Sequence, residues 1–209
     1  IARYWYADVL FARGKAFNDA GRFVEARAKL VKAVSLSRSE AIFWDEMSQS
    51  SSGIALALWE TQDKQMARQF AENAVKESQK ASALSPKNVN LLRNRASMYI
   101  ILAGVDDSYL GRAVDTIMAA MVLAPTDAKL YYNLGLTYLR MGERDKALET
   151  FERTIAMKPN YRDARLAYAL VLVDKGQKQK AIEELNYILS RIEPNDSVAK
   201  DQLEELTNK

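Results

Sequence analysis

Apolar and small residues return along this chain with two periods at once. Over short stretches they fall three or four positions apart, the spacing that places side chains on one face of an α-helix. Over longer stretches the same residue types come back after 34 positions, as Gly142 and Gly176 do, and Ala147 and Ala181. The clearest unit is 128–161, which holds Tyr131, Leu134, Gly135, Tyr138, Ala147, Phe151 and Pro159. Gly142 splits it in two, because a residue that adopts φ > 0 ends a helix, and Pro159 stops the second half. Gly135 and Ala147 leave room where two antiparallel helices touch, and the bulky residues fill the space around that contact. The predicted element is a helical hairpin.

The pattern recurs. Segment 7–40 carries Leu10, Gly14, Phe17, Gly21, Ala26, Leu30 and Ala33 at matching positions. Segment 162–195 carries Ala169, Leu172, Gly176, Ala181, Leu185 and Ile188, with Pro194 one place late. Two middle segments are longer. Segment 41–88 has Trp44, Ala74, Ala81 and Pro86 in register and about 14 extra residues. Fourteen residues are about four helical turns, so adding two turns to each helix keeps both in phase. The prediction is a long hairpin, 41–61 and 63–84, that overhangs its neighbours. Segment 89–127 has about five extra residues, expected around Gly104–Ser108, where Asp106, Asp107 or Ser108 can cap the next helix. An amphipathic helix near 196–207 is expected to cover the end of the stack with Val198, Leu203 and Leu206. The first helix should reach back to about Ala2, where Tyr4, Trp5 and Tyr6 are read as capping the other end, with contact to a membrane surface or to an upstream segment as the alternatives. The run Gln49-Ser50-Ser51-Ser52-Gly53 is a poor helix former placed mid-helix; the favoured reading is close packing that needs small side chains, and the alternative is a cleft where a ligand or another helix approaches.

The spacing aromatic-x2-Leu-Gly-x2-Tyr, then Ala-x3-Phe, then Pro in 128–161 closely resembles the tetratricopeptide repeat (TPR), with Thr154 at the usual small position as a mild departure. The resemblance implies an all-α, right-handed α-solenoid of about five TPR-like hairpins plus a C-terminal capping helix, a single domain over 1–209. It also implies a concave groove lined by the first helix of each repeat. Carried over to this chain, the groove residues are Asp45 and Gln49, then Asn90, Arg93, Asn94 and Ser97. After these come Lys129, Tyr132, Asn133, Leu136 and Arg140, and finally Asp163, Leu166 and Leu170. Amides can grip a peptide backbone by donating and accepting, and Arg93 and Arg140 can pair with a carboxylate. The clamp with which one TPR subfamily holds acidic C-termini is matched by Arg93 and Asn133 but not by Ser97, Asp163 or Ala167, so chaperone-tail binding is not expected. The implied function is a scaffold that binds a peptide or partner domain. Ala7–Ser48 also resembles the helical-repeat tails of bacterial O-antigen ligase and polymerase-like membrane proteins. That likeness implies the alternative of a non-catalytic domain on a membrane-anchored parent.

Composition narrows the chemistry. The chain has no cysteine, which excludes disulfides and thiolate zinc sites, and no histidine, which removes the commonest general base and metal ligand. Ser-His-Asp and Cys-His catalysis are therefore impossible. The acidic doublets Asp106-Asp107, Glu183-Glu184 and Glu204-Glu205 are adjacent residues, which do not face each other on a helix. No enzyme activity, metal or cofactor is expected. A net charge of +3, with both signs interspersed, is too weak for a nucleic-acid footprint. No apolar run approaches the roughly 20 residues that span a bilayer. The chain begins with Ile1 rather than Met, as expected of a piece of a longer or processed protein. Localisation stays open between the cytoplasm and the extracytoplasmic face of a membrane-anchored parent.

Overall fold

A computed structural model describes residues 2–208, and among them only helices, turns and loops occur. The helices pair as antiparallel hairpins: α1 (Ala2–Asp19) with α2 (Phe23–Leu36), α3 (Ala41–Glu60) with α4 (Lys64–Leu84), and α5 (Val89–Leu102) with α6 (Tyr109–Leu123). Two more follow: α7 (Ala128–Arg140) with α8 (Arg144–Met157), and α9 (Arg162–Asp174) with α10 (Lys178–Tyr187). The helix of α10 continues as a wide turn, Ile188–Ile192, before α11 (Ser197–Thr207). The chain divides into two compact units, 1–123 and 124–209. The first unit holds α1–α6 and the second α7–α11.

Small residues set the spacing of the helices. A Cβ added to Gly135 would lie 2.5 Å from the Phe151 ring, so this glycine is what lets α7 and α8 close on that ring. Ala26, Ala74, Ala81, Ala113, Ala147 and Ala181 are all 1% exposed or less, each in a second helix of its hairpin. Gly21, Gly142 and Gly176 turn three hairpins with φ between 71° and 77°. In the α3–α4 hairpin the same place is held by Gln62, with φ 72°. Around it the Asp63 amide donates to the Leu58 carbonyl (3.0 Å), the closing bond of a Schellman turn.

Helices α3 and α4, with 20 and 21 residues, are each seven residues longer than α7 and α8, about two turns. The long hairpin falls where the spacing predicts it. Its serine run is buried: Ser48, Ser50, Ser51 and Ser52 are 0% exposed. A Cβ on Gly53 would lie 2.5 Å from the Phe23 ring, so the run admits close contact with the preceding hairpin. Ser51, which stands where a bulky residue is usual, donates to the Glu77 carboxylate (2.5 Å), and Arg27 reaches both Ser51 and Glu77. This polar cluster ties α2, α3 and α4 together. Burial pushes the Glu77 carboxyl up despite its bonds to Arg27 and Ser51.

The extra residues of the third hairpin form the α5–α6 loop, where Asp106 accepts from the Ser108 amide (2.9 Å). The late Pro194 also has a physical cause. Residues 188–192 form a π-turn, closed by the Glu193 amide donating to the Ile188 carbonyl (2.8 Å). A π-turn takes in one more residue than an α-turn and restores the phase beyond it.

Two expectations are corrected. Tyr4, Trp5 and Tyr6 are 61%, 66% and 51% exposed, so they do not cap the stack. In α11 the buried contact is made by Ala199 with Leu203 and Leu206, whereas Val198 is exposed. Asp196 anchors that helix. Its carboxylate accepts from the Ala199 amide (3.0 Å) and takes two bonds from Arg162, 2.6 and 2.9 Å. The Arg162 guanidinium holds the Asp196 carboxyl down at about 2.

Candidate functional site

The candidate residues gather into two sets, one in each unit. The first lies on α3 and α5. The Asn94 amide donates to the Asp45 carboxylate (2.5 Å), and the Gln49 amide donates to the Asn94 carbonyl (3.0 Å). Arg93 donates to Asn90 (2.8 Å), whose own helix start is capped by Asn88. Asn90, Asn94 and Ser97 are exposed along α5. Asp45 is only 4% exposed, which corrects its expected place on an open lining. Burial pushes its carboxyl up to about 6, with the Asn94 bond opposing the shift. The amides of this set are therefore engaged with each other: they join one hairpin to the next.

The second set lies on α7 and α9 and is of different character. Helix α7 starts at Asp127, which accepts from the Lys129 amide (3.0 Å), and one turn spaces Tyr132, Leu136 and Arg140 along the same side. Tyr132 packs against Phe151 and Tyr161, with ring centroids 6.1 and 5.1 Å away. Leu136 and Leu170 remain 37% and 41% exposed. Leu166 is half-buried against the core of α9 and α10. Asn133 is half-buried and its carbonyl accepts from Thr137 (2.8 Å). Lys129 and Arg140 stand exposed at either end of α7, and Asp163, at the start of α9, takes a bond from Arg162 (3.0 Å). Tyr132 and Leu136 are thus one turn apart on α7, Leu166 and Leu170 one turn apart on α9, and exposed cations stand at both ends of α7. Such side chains can bury aliphatic groups, and the cations can pair a carboxylate. Among the described residues no helix is long and apolar enough to cross a membrane.

An apolar face on α2, α3 and α4 was not among the sequence candidates. Its signal is present: Val24, Ala28 and Val31 form a second helical row on α2 beside the core row Ala26, Leu30 and Ala33.

Residues 132–197 match the family described as tetratricopeptide repeat. Over 191 residues, 90% of this chain, the sequence is 26% identical to the aspartyl/asparaginyl beta-hydroxylase of Mus musculus. The chain spans about a quarter of the length of the curated hydroxylases it matches. A tetratricopeptide repeat protein from Parabacteroides merdae superposes with a TM-score of 0.68 at 19% identity, covering 98% of this chain and 73% of that one. The first TPR of Spaghetti (RPAP3), solved with the HSP90 peptide SRMEEVD, superposes with a TM-score of 0.51 at 18% identity, covering 57% of this chain and 93% of that one.

Proposed function

We propose that this chain, whose hairpins have the tetratricopeptide repeat fold and whose residues 132–197 match that repeat, is a protein-interaction module that holds a peptide on the face of α7 and α9. The observation that carries this reading is the exposure of Leu136 on α7 and Leu170 on α9, each one turn from a partly buried apolar residue, Tyr132 and Leu166. Side chains of this kind on an open face leave apolar area that a ligand can bury. That a related fold is seen with a bound peptide supports the class of ligand. The acidic tail of that peptide does not suit this face, because Asp163 stands at the start of α9. The preferred ligand is an aliphatic segment rather than an acidic tail. No catalytic step is assigned to the module.

Display of random peptides against the whole chain tests this. Selected aliphatic peptides should lose at least about tenfold in affinity when Leu136→Glu or Leu170→Glu is introduced, about 1.4 kcal/mol or more. If no selected peptide responds to either change while the helical signal is intact, the assignment of this face is wrong.

A second reading is favoured by one observation, the exposed Tyr4, Trp5 and Tyr6. Aromatic side chains with polar tips suit a membrane interface, as a domain of a membrane-anchored protein would need. Flotation with phosphatidylcholine vesicles, lost in Trp5→Ala, would support it; no flotation of the intact chain would exclude it.

A further inference from the structure

The α3–α4 overhang is covered on one side only. Toward α5, Leu56 fills the space at Gly104, where an added Cβ would lie 2.6 Å from it, and Ala55, Ala71 and Val105 share one buried cluster with Trp59 and Tyr109 packed against it. Toward α2, Ile54 and Leu58 of α3 and Met66 and Phe70 of α4 instead line an open trough of about 520 Å³, walled on the far side by Val24 and Val31. Val24, Val31 and Met66 are 68%, 47% and 46% exposed. The same apolar surface continues past Gly21 toward Thr61 as a second hollow of about 480 Å³.

The lining is organised in rows. Val24 and Val31 are two turns apart on α2, Ile54 and Leu58 one turn apart on α3, and Met66 and Phe70 one turn apart on α4. Three helices that each offer a row at helical spacing form a seat for the ridge of a fourth. The charges at the edge are unbalanced. Arg22 is paired with the one carboxylate of the lining, Glu25 (2.9 Å), and Arg27 is spent on Glu77 beneath the trough (2.9 Å). The remaining cation is Lys32, exposed at one end of the trough.

We infer that this trough docks an amphipathic helix of a partner protein, with an aliphatic row facing Val24, Val31, Leu58 and Met66 and acidic residues beside Lys32. The occupant is an acidic helix because the surplus charge on the rim is positive, and opposite charge sets orientation and partner choice. This site is separate from the α7–α9 face and does not rest on it.

The test uses the whole chain and a fluorescein-labelled, alanine-based peptide of about 18 residues, five turns. It carries leucines at i, i+4, i+7 and i+11, with glutamates beside them. A second peptide has lysines in place of the glutamates. Fluorescence anisotropy should show the glutamate peptide bound and the lysine peptide at least about fivefold weaker. Val24→Glu and Val31→Glu, both at exposed helix positions, should each weaken the glutamate peptide at least about tenfold. Leu170→Glu should leave it unchanged. Failure of the glutamate peptide to bind would overturn the proposal, as would binding indifferent to both valine changes or equal binding of the two peptides. Sedimentation gives the other decisive outcome: a dimer of the chain that Val31→Glu dissolves would make the occupant a second copy, and the partner helix would be rejected.

Discussion

Gln62 occupies a left-handed backbone conformation, φ 72°, that three glycines occupy in the sister hairpins. A side chain in that region costs about 1 kcal/mol. Gln62→Gly should therefore raise stability by roughly 1 kcal/mol, read as a higher midpoint in thermal denaturation. The predicted helices 41–61 and 63–84 already left Gln62 between them, but no glycine there marked the left-handed turn that the 34-residue period identified in the other hairpins. Asp45 gives a second case. Its carboxyl is raised to about 6 by burial, above the ordinary 3.8, so the folded state binds a proton that the unfolded state has lost. The cost of the buried charge is full above pH 6 and is relieved as pH falls from 6 to about 4. Asp45→Asn keeps an acceptor for Asn94 and removes the charge. It should stabilise the chain at pH 7.5 by on the order of 1–2 kcal/mol and do little at pH 4.5, as urea unfolding at the two pH values would show. Repeat position marked Asp45 as a groove residue; its burial depends on how close Asn94 of the next hairpin comes, which no spacing within α3 reports.

At the scale of the element, the wide turn 188–192 accommodates one residue more than the repeat allows. Deleting Ser190 should convert it to regular helix and cost less than about 1 kcal/mol. Deleting Glu152 from the regular α8 should rotate Phe151 and its neighbours out of phase and cost several kcal/mol; circular dichroism melts compare the two. The displaced Pro194 was the visible trace of this insertion, although the spacing does not fix where the extra residue is absorbed. The α11 anchor sets a pH limit. Asp196 has a carboxyl lowered to about 2, so its contribution is present above pH 4 and is lost as pH falls through 2. Asp196→Ala removes the helix cap and leaves Arg162 without its partner. It should cost roughly 2–3 kcal/mol and speed amide exchange throughout α11, measured by mass spectrometry. The helix near 196–207 and its apolar Leu203 and Leu206 were legible beforehand, whereas the grip of Arg162 on Asp196 and the choice of Ala199 over Val198 as the buried residue depend on the angle at which α11 meets α10.

At the scale of the whole molecule, each unit carries its own core. Phe43, Met47, Met98 and Leu102 belong to the first, and Phe151, Leu172, Leu185 and Ile188 to the second. A fragment of residues 124–209 should therefore fold alone, with a helical spectrum and a cooperative melt. Phe151→Ala should destabilise that fragment by about 3–5 kcal/mol. The hairpins could be read from the period because each is built from contacts local in sequence. The division at residue 123 could not, because the repeat continues across it without a break in spacing. The α2–α4 trough escaped for a related reason: repeat positions name the core and the first helices, while an extra apolar row on a second helix has no place in that register.

The docking of α11 against α10 has a consequence for how many molecules can join. Helix α11 rests on α10 as α9 rests on α8, so it fills the seat where a further hairpin would add. A chain ended at Glu193 would leave Leu185 and Ile188 bare on a surface shaped to accept helices. Contacts between unlike surfaces do not close on themselves and propagate. Such a shortened chain should lengthen into filaments that scatter light, and the bidentate grip of Arg162 on Asp196 is what keeps α11 over that seat.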